Sequence, residues 1–183
     1  MLRNQFFSLV CLSAVISLSC SHCPKDKNRI SSASQVVEAF CNEDAEGAQA
    51  WSSHWQSKIQ AYTTWEDSPG WDSVDVIKSY QILAVKENNN SAEVDVAYSI
   101  LGAMDSAEVG FSFIPQLKEE KVKFILTKVS EKWKIASPQL KPHISTTAAF
   151  ELLDRDCVNL NKIDDKTRNR HLAIKNQISS LLK

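Results

Sequence analysis

A helical spacing of hydrophobic residues opens the body of this chain. The segment Ser32-Ala33-Ser34-Gln35 fits a capping box, and apolar residues then recur at helical intervals at Val36, Val37, Phe40 and Cys41. This pattern predicts an amphipathic helix that begins at Ser32 or Ala33. After an interruption at 42–47, a second helix is predicted, because apolar residues again step by three or four positions: Ala48, Trp51, Trp55, Ile59 and Tyr62.

A strand-like alternation replaces the helical spacing after the turn at 68–70. Residues 80–85 form a strand candidate, 88–90 a turn, and residues 94–100 alternate between apolar and polar side chains. Further alternating segments follow at 109–113 and 122–126, and Trp133 with Ile135 closes a hairpin over 130–132. Since the connections are short, neighbouring strands are expected to be antiparallel. The predicted fold class is α+β, with N-terminal helices packed on a curved antiparallel sheet of four to five strands.

The C-terminal region predicts further helices. Ser145 is a candidate cap for a helix that continues to Leu153, and hydrophobic residues at helical spacing later in the chain predict an added C-terminal amphipathic helix: Ile174, Ile178, Leu181 and Leu182. Three roles stay open for this terminal helix. It packs on its own domain, pairs with a second copy or another protein, or lies on an anionic membrane.

The first residues have the layout of an export signal. Met1 to Gln5 carries a single cation, Arg3, and Phe6 to Leu18 is an apolar run too short for the roughly 20 residues of a membrane-spanning helix. The segment Ser17-Leu18-Ser19-Cys20 resembles the lipobox of bacterial lipoproteins, although Leu18 stands one place later than in that pattern. The resemblance implies lipidation of Cys20, with the lipid anchor as the only membrane contact. Ordinary cleavage after Ser19 or Cys20, and a retained cytoplasmic start, are the alternatives.

The cysteines suggest little metal or redox chemistry. Cys20, His22 and Cys23 have no second ligand pair downstream for a structural zinc site, and the residues that follow them read as a solvated spacer. We therefore expect no metal and no cofactor. In an oxidising compartment, Cys41 and Cys157 are expected to lie near each other as a possible disulfide, the alternative being that both are small buried hydrophobic residues.

Charge argues against a polyanionic partner. Removing residues 1–19 from the 183-residue chain leaves 164 residues, enough for one domain, and changes the formal charge from −1 to −2 because only Arg3 is lost. No nucleic acid is therefore expected. Residues 38–75 hold eight acids and one lysine, whereas residues 161–183 hold six bases and two acids. We interpret these as regions that face each other or solvent, with a basic binding surface as the alternative.

The order of elements resembles the nuclear transport factor 2-like superfamily, also called cystatin-like cone folds. The resembling residues are "VVEAFCNEDAEGA", the aromatic second helix, and above all "KVKFILTKVSEKWKIASPQLKPHIS", which looks like the final hairpin of that family. The resemblance implies a sheet curled into a cone, a pocket inside it, and a pocket wall built from five aromatic residues: Trp51, Trp55, Tyr98, Phe111 and Phe113. Plain core packing is the alternative role for these side chains.

The expected domain organisation follows from these patterns. Residues 1–19 are a signal peptide, 20–31 a spacer after the lipidated cysteine, 32–153 the cone-shaped α+β domain, and 154–183 a C-terminal amphipathic helical extension. The expected function is that of a non-catalytic exported or lipid-anchored envelope domain. It binds a small apolar ligand or a protein partner through the cone mouth. The sequence is compatible with both a monomer and an oligomer.

The alternative function is that of a lyase or isomerase with an acid–base residue in the cone, as in catalytic members of folds that this chain resembles. Five residues offer the required chemistry: His54, Asp72, Asp75, Asp95 and His143. Their predicted positions disfavour it. Asp95 lies on the outward alternation of its strand, His143 follows Pro142 in a predicted loop, and Asp72 and Asp75 flank a strand start. We therefore assign no catalytic residue from the sequence.

Overall fold

The structure, a computed structural model, describes residues 32–50, 58–67, 70–107, 110–159 and 165–183, without the side chains of 156–159. The elements are α1 (Ala33–Ala45), β1 (Ser73–Glu87), β2 (Ser91–Ser106), β3 (Phe111–Val129), β4 (Lys132–Ser137), β5 (His143–Ser145), α2 (Thr146–Asn159) and α3 (Asp165–Ser180). Within these ranges, the strands form a curled sheet in the order β4-β3-β2-β1-β5. The α+β fold class with an added C-terminal helix is confirmed.

Local sequence signals set several element boundaries. The Ser32 hydroxyl accepts a hydrogen bond from the Gln35 amide at 3.3 Å, and the Gln35 side chain accepts one from the Ser32 amide at 3.2 Å, which confirms the capping box. Ser145 Oγ accepts from the Ala148 amide at 3.2 Å and caps α2, as predicted. The turn of the predicted β3–β4 hairpin holds Ser130 and Glu131 at positive φ.

The sheet differs from the prediction in two places. The segments 109–113 and 122–126 were predicted as separate strands, but β3 runs unbroken from Phe111 to Val129 with Pro115 inside it. Pro115 is tolerated because β4 pairs only with residues 125–129, so this part of β3 has no strand on its other side among the described residues. The loop predicted around His143 is the short strand β5, which pairs in parallel with β1 and makes the sheet mixed.

Two apolar clusters lie on opposite faces of the sheet. The first contains α1 and the inward side chains of β2, β3 and β4, with Val94, Val96 and Tyr98 all buried. The second joins α2 and α3 to the other face. Adjacent residues divide between them, since Ile100 belongs to the first cluster and Leu101 to the second.

A glycine allows close packing where β2 bends. Gly102 lies next to an irregularity in the β2–β3 register, and an added Cβ at this position would come within 2.6 Å of the Phe113 ring and would also meet the Ile114 carbonyl oxygen. Any larger residue would push β3 away. The register beyond this point places Ala103 opposite Ile114.

No helix in the described ranges is both long and apolar enough to cross a membrane. The predicted second helix lies partly outside these ranges, because residues 51–57 are not described.

We predict that Phe124→Ala destabilises the protein by about 3–5 kcal/mol, because a fully buried ring would be replaced by a cavity. Phe124 has no exposed surface and makes an edge-to-face contact with Phe40 at a centroid distance of 5.6 Å. Urea unfolding followed by circular dichroism measures the change. Leu117→Ala is the control on the same strand, because Leu117 is 66% exposed. Equal losses in the two variants would contradict the assigned core.

Candidate functional site

A cluster of buried acids around a histidine lies where α1, β1 and β5 meet. Asp44 is in the last turn of α1, Asp75 lies near the start of β1, and His143 begins β5. Their residue exposures are 1%, 2% and 2%, respectively. Ionisable side chains are rarely buried so completely unless they are paired or functional, so this group is the candidate site.

Backbone contacts position the three side chains. The His143 amide donates to Asp44 Oδ2 at 3.0 Å, which connects α1 to β5. The Asp75 amide donates to the Pro142 carbonyl at 2.9 Å, and Asp75 and His143 are register partners in the parallel pair β1–β5. Paired residues point to the same face of a sheet, so Asp75 and His143 both face the α1 side.

The imidazole of His143 lies between the two carboxyl groups. Its Nδ1 is 3.9 Å from Asp44 Oδ2 and its Nε2 is 3.9 Å from Asp75 Oδ2. Both separations exceed hydrogen-bond distance, so the ring is flanked by the acids without bonding to them. One face of the ring stacks on Tyr98 at a centroid distance of 4.1 Å and an interplanar angle of 20°.

Burial controls the protonation of this cluster. It raises the pKa of Asp44 to about 8, although the His143 amide and the nearby Gln49 side chain lower it. Burial also lowers the pKa of His143, opposed by the negative charges of Asp75 and Glu120. At neutral pH, Asp44 is therefore mainly protonated and His143 is neutral. Asp44 and His143 can therefore donate and accept hydrogen bonds while both are uncharged.

Several polar atoms of the cluster make no hydrogen bond within the described residues. They are Asp75 Oδ2 and both ring nitrogens of His143. Asp44 Oδ1 and both amide atoms of Gln49 also lack a partner in hydrogen-bond geometry, although the Gln49 side chain lies close enough to Asp44 to lower its pKa. Gln49 is itself only 3% exposed. Because an unsatisfied buried polar group costs on the order of 1–3 kcal/mol, such a concentration of them points to a binding or catalytic role.

The thiol and phenol beside the histidine are not nucleophiles at neutral pH. Cys41 Sγ and the Tyr98 hydroxyl form a hydrogen bond at 3.2 Å in the interior. Burial raises the pKa of Cys41 to about 12 and also raises the pKa of Tyr98. Cys41 is a free thiol in this structure. The side chain of Cys157 lies outside the described residues, so the Cys41–Cys157 pair stays a prediction.

A cross-strand row leads from the buried histidine to the surface. His143 pairs with Asp75, Asp75 with Ala103, and Ala103 with Ile114. Exposure increases along this row, from 2% at His143 and Asp75 through the half-buried Ala103 to 57% at Ile114. With strands about 4.8 Å apart, the row spans roughly 14 Å across four strands. We call these four residues the His143 row.

Two ion pairs border the His143 row. Lys141 Nζ lies 2.7 Å from Asp75 Oδ1, and Lys118 Nζ lies 2.7 Å from Glu120 Oε2. The Lys118–Glu120 pair is about one-third exposed on both sides and contributes little stability. The Asp75 side chain is only 3% exposed, so separating it from Lys141 would leave a buried carboxyl group without its partner.

The structure separates the aromatic residues that were predicted to form one pocket wall. Tyr98 is in the α1-side cluster beside His143. Phe113 belongs to the opposite cluster, and Phe111 packs against that cluster near His171. Trp51 and Trp55 lie outside the described residues, as does Cys20. The structure therefore does not bring Phe111 and Phe113 together with Tyr98.

Two of the acid–base residues that the sequence disfavoured are in the site. The sequence predicts Asp75 at the edge of a strand and His143 in a loop, whereas Asp75 is buried inside β1 and His143 lies in β5. Asp72 is exposed, Asp95 lies on the outer side near Lys123, and His54 is outside the described residues.

Asp44 and Gln49 were missed by the sequence interpretation. A signal for Asp44 was present, because it stands four residues after Phe40 and three after Cys41, on the apolar stripe of α1. A carboxylate on such a stripe is unusual enough to mark a buried site. Among the described residues, no three acid, histidine or cysteine side chains are arranged to hold a metal ion.

We predict that Asp44→Asn reduces the loss of stability between pH 6.5 and 8. The raised pKa means that the folded protein holds a proton on Asp44 that the unfolded chain has released, so stability falls as pH rises towards 8. The wild type should lose on the order of 1–2 kcal/mol over this interval through Asp44. His143 affects stability at lower pH. Because its pKa is lowered in the folded protein, stability falls as the pH drops below about 6.5.

Urea unfolding at pH 6.5, 7.2 and 8 measures this effect. Asn keeps a carbonyl oxygen for the His143 amide, so the variant is expected to fold. Asp72→Asn, at an exposed position, is the control and should follow the wild type. An Asp44→Asn variant with the wild-type pH dependence would show that this carboxyl group is ionised in the folded protein.

Comparisons with known proteins show no family. No family model matches the chain, and no curated protein matches it. A search of solved structures finds a crystal structure described as an NTF2-like transpeptidase from Campylobacter jejuni, with a TM-score of 0.34 and 13% sequence identity. The match covers 57% of this chain and 97% of that one. At this TM-score, it carries no argument about this protein.

Proposed function

We propose that this chain is an exported domain of the cell envelope, anchored through a lipid on Cys20, that binds a small ligand along the His143 row. The support for export is the pattern of residues 1–19, and the support for anchoring is the resemblance of residues 17–20 to a lipobox. Each acyl methylene buried in a bilayer contributes about 0.8 kcal/mol, so such a lipid would hold the domain at the membrane surface.

The unsatisfied polar atoms at the buried end of the row are the observation that supports ligand binding. His143, Asp44 and Gln49 together present donors and acceptors, and Ile114 presents apolar surface at the other end. A ligand with a polar head and an apolar tail matches this order.

The charges favour an uncharged polar head. Asp44 is mainly protonated at neutral pH, His143 is neutral, and Asp75 is paired with Lys141. A charged head would lose its hydration without meeting a free opposite charge, and this costs several kcal/mol. An amide or alcohol group would satisfy the same atoms without that cost.

A second candidate function is proton transfer to or from carbon, as in a lyase or isomerase. The observation that favours it is the placement of the neutral His143 ring between two carboxyl groups at 3.9 Å each. A neutral imidazole accepts a proton at one nitrogen, and an adjacent carboxylate such as Asp75 would stabilise the resulting cation. The same bound molecule would then be a substrate.

We predict that a small molecule remains bound to protein purified from its source and is detected by native mass spectrometry. Ile114→Ser should lower its occupancy roughly tenfold, because contact with an apolar side chain is lost. His143→Gln should also lower the occupancy, because it changes the polar contacts at the buried end of the row. Leu172→Ser is the matched control, since Leu172 on α3 is also 57% exposed. Unliganded wild-type protein, or equal occupancy in Ile114→Ser and Leu172→Ser, would refute binding along this row.

Deuterium exchange separates the two candidate functions. The purified protein is incubated in D2O with the molecule that it carries, which is then released and analysed by mass spectrometry. A binding domain leaves the carbon-bound hydrogens unchanged, because it holds the ligand without breaking C–H bonds. An acid–base enzyme introduces deuterium at carbon, and His143→Gln abolishes this exchange. We expect no exchange at carbon, and exchange that depends on His143 would favour the enzyme.

A further inference from the structure

The hairpin turn between β1 and β2 contains an N-glycosylation acceptor sequence. Asn89-Asn90-Ser91 has the form Asn-x-Ser, with a residue other than proline in the middle. No other asparagine in the printed sequence is followed two residues later by serine or threonine. A single short motif arises easily by chance, so its position in the fold decides whether it has meaning.

The turn presents Asn89 at an exposed tip. The Asn88 amide donates to the Ser91 carbonyl at 2.8 Å and closes the turn. The Asn90 carbonyl accepts from the Lys128 amide at 3.2 Å and from Thr127 Oγ1 at 3.5 Å, which fixes Asn90 to the neighbouring β3–β4 hairpin. All of residues 88–91 are exposed. The Asn89 carboxamide makes no hydrogen bond to any described residue, so its nitrogen is accessible.

A positive φ does not account for the asparagine at this position. Asparagine is often selected in hairpin turns because it tolerates positive φ. In the described part of the chain, the non-glycine residues at positive φ are Ser130 and Glu131, in the other hairpin, and residues 88–90 are not among them. An open depression borders the turn, lined by Glu87, Asn88, Asn89, Asn90 and Lys128, so there is space for a sugar.

We propose that Asn89 is N-glycosylated during or after export. This inference rests on the export that the proposed function includes. The amide nitrogen Nδ2 of Asn89 attacks C1 of an oligosaccharide carried on a polyprenyl diphosphate, supplied with its transferase by the exporting cell. A C1–N bond forms, the C1–O bond to the diphosphate breaks, and the amide proton passes to a base of the transferase. The lipid diphosphate leaves with the electron pair.

A glycan at Asn89 is compatible with ligand binding. Asp75 lies near the start of β1, whereas Asn89 follows its last residue, Glu87. The Ala33 amide at the start of α1 donates to Glu87 Oε2 at 3.2 Å, whereas Asp44 lies in the last turn of the same helix. The turn and the site therefore lie at opposite ends of α1, which at about 1.5 Å per residue are roughly 17 Å apart. The glycan would therefore stand at the far end of the hairpin and leave the His143 row open.

The test is mass spectrometry of the full chain isolated from cells that naturally produce it. Intact mass reports leader removal, and glycopeptide sequencing reports the residue modified. We expect processed protein with one glycan on Asn89. Asn89→Gln and Ser91→Ala should each lower the glycosylated fraction at least tenfold. Asn90→Gln and Ser91→Thr are the matched controls, because they preserve the Asn-x-Ser/Thr pattern and should keep the glycan.

The outcomes separate this inference from the proposed function. Processed wild-type protein with an unmodified Asn89 overturns glycosylation and leaves the envelope function standing. A retained leader with an unmodified Asn89 overturns both. A glycan that persists in Asn89→Gln overturns the assignment to this residue.

Discussion

The hydrogen bond from the His143 amide to the Asp44 carboxyl group connects the helix, the sheet and the candidate site. It joins α1 to β5 at a place where both partners are almost fully buried. β5 is only three residues long and makes its ladder contacts with β1, so this contact supplies a second anchor. Without it, neither the position of the His143 ring nor the burial of Asp44 would follow from the sheet alone.

Burying these groups opposes folding, and the apolar clusters on the two faces of the sheet must offset that cost. Asp44 lowers its desolvation cost by holding a proton, and His143 lowers its own by remaining neutral. Asp75 keeps one oxygen in contact with Lys141 at the surface. The remaining polar atoms are unsatisfied within the described residues, and natural proteins retain such groups mainly where a ligand or a reaction uses them.

The two faces of the sheet have separate roles. The α1 side carries the His143 row, with a buried polar end and an exposed apolar end. The other side is covered at one end by α2 and α3, where Phe113, Ile174 and Ile178 pack together. This covering places Phe111 and Phe113 in a structural core, while Tyr98 supports the histidine. The hairpin that joins β1 to β2 reaches the start of α1, where the Ala33 amide donates to Glu87, and ends in the exposed turn at Asn89.

Much of the fold could be predicted from the sequence because its signals are local. The capping box at Ser32, the alternation of Val94, Val96 and Tyr98, and the Ser145 cap each depend on neighbouring residues, and the structure confirms them. The continuity of β3 through Pro115 could not be read in this way. A proline is acceptable there only because no described strand pairs with β3 on that side, and this depends on the sheet order.

The sequence by itself determined which residues alternate, where α1 and α2 begin, and the pattern of an export leader, because these depend on residue type and spacing along the chain. Only the tertiary structure decided that Asp44, Asp75 and His143 meet. They are separated by 31 and 68 residues, as their numbering shows, and each has an ordinary local interpretation as a helix end, a strand start or a loop. Their burial results from the parallel return of the chain from β4 to the opposite edge of the sheet, a long-range pairing that local spacing does not encode.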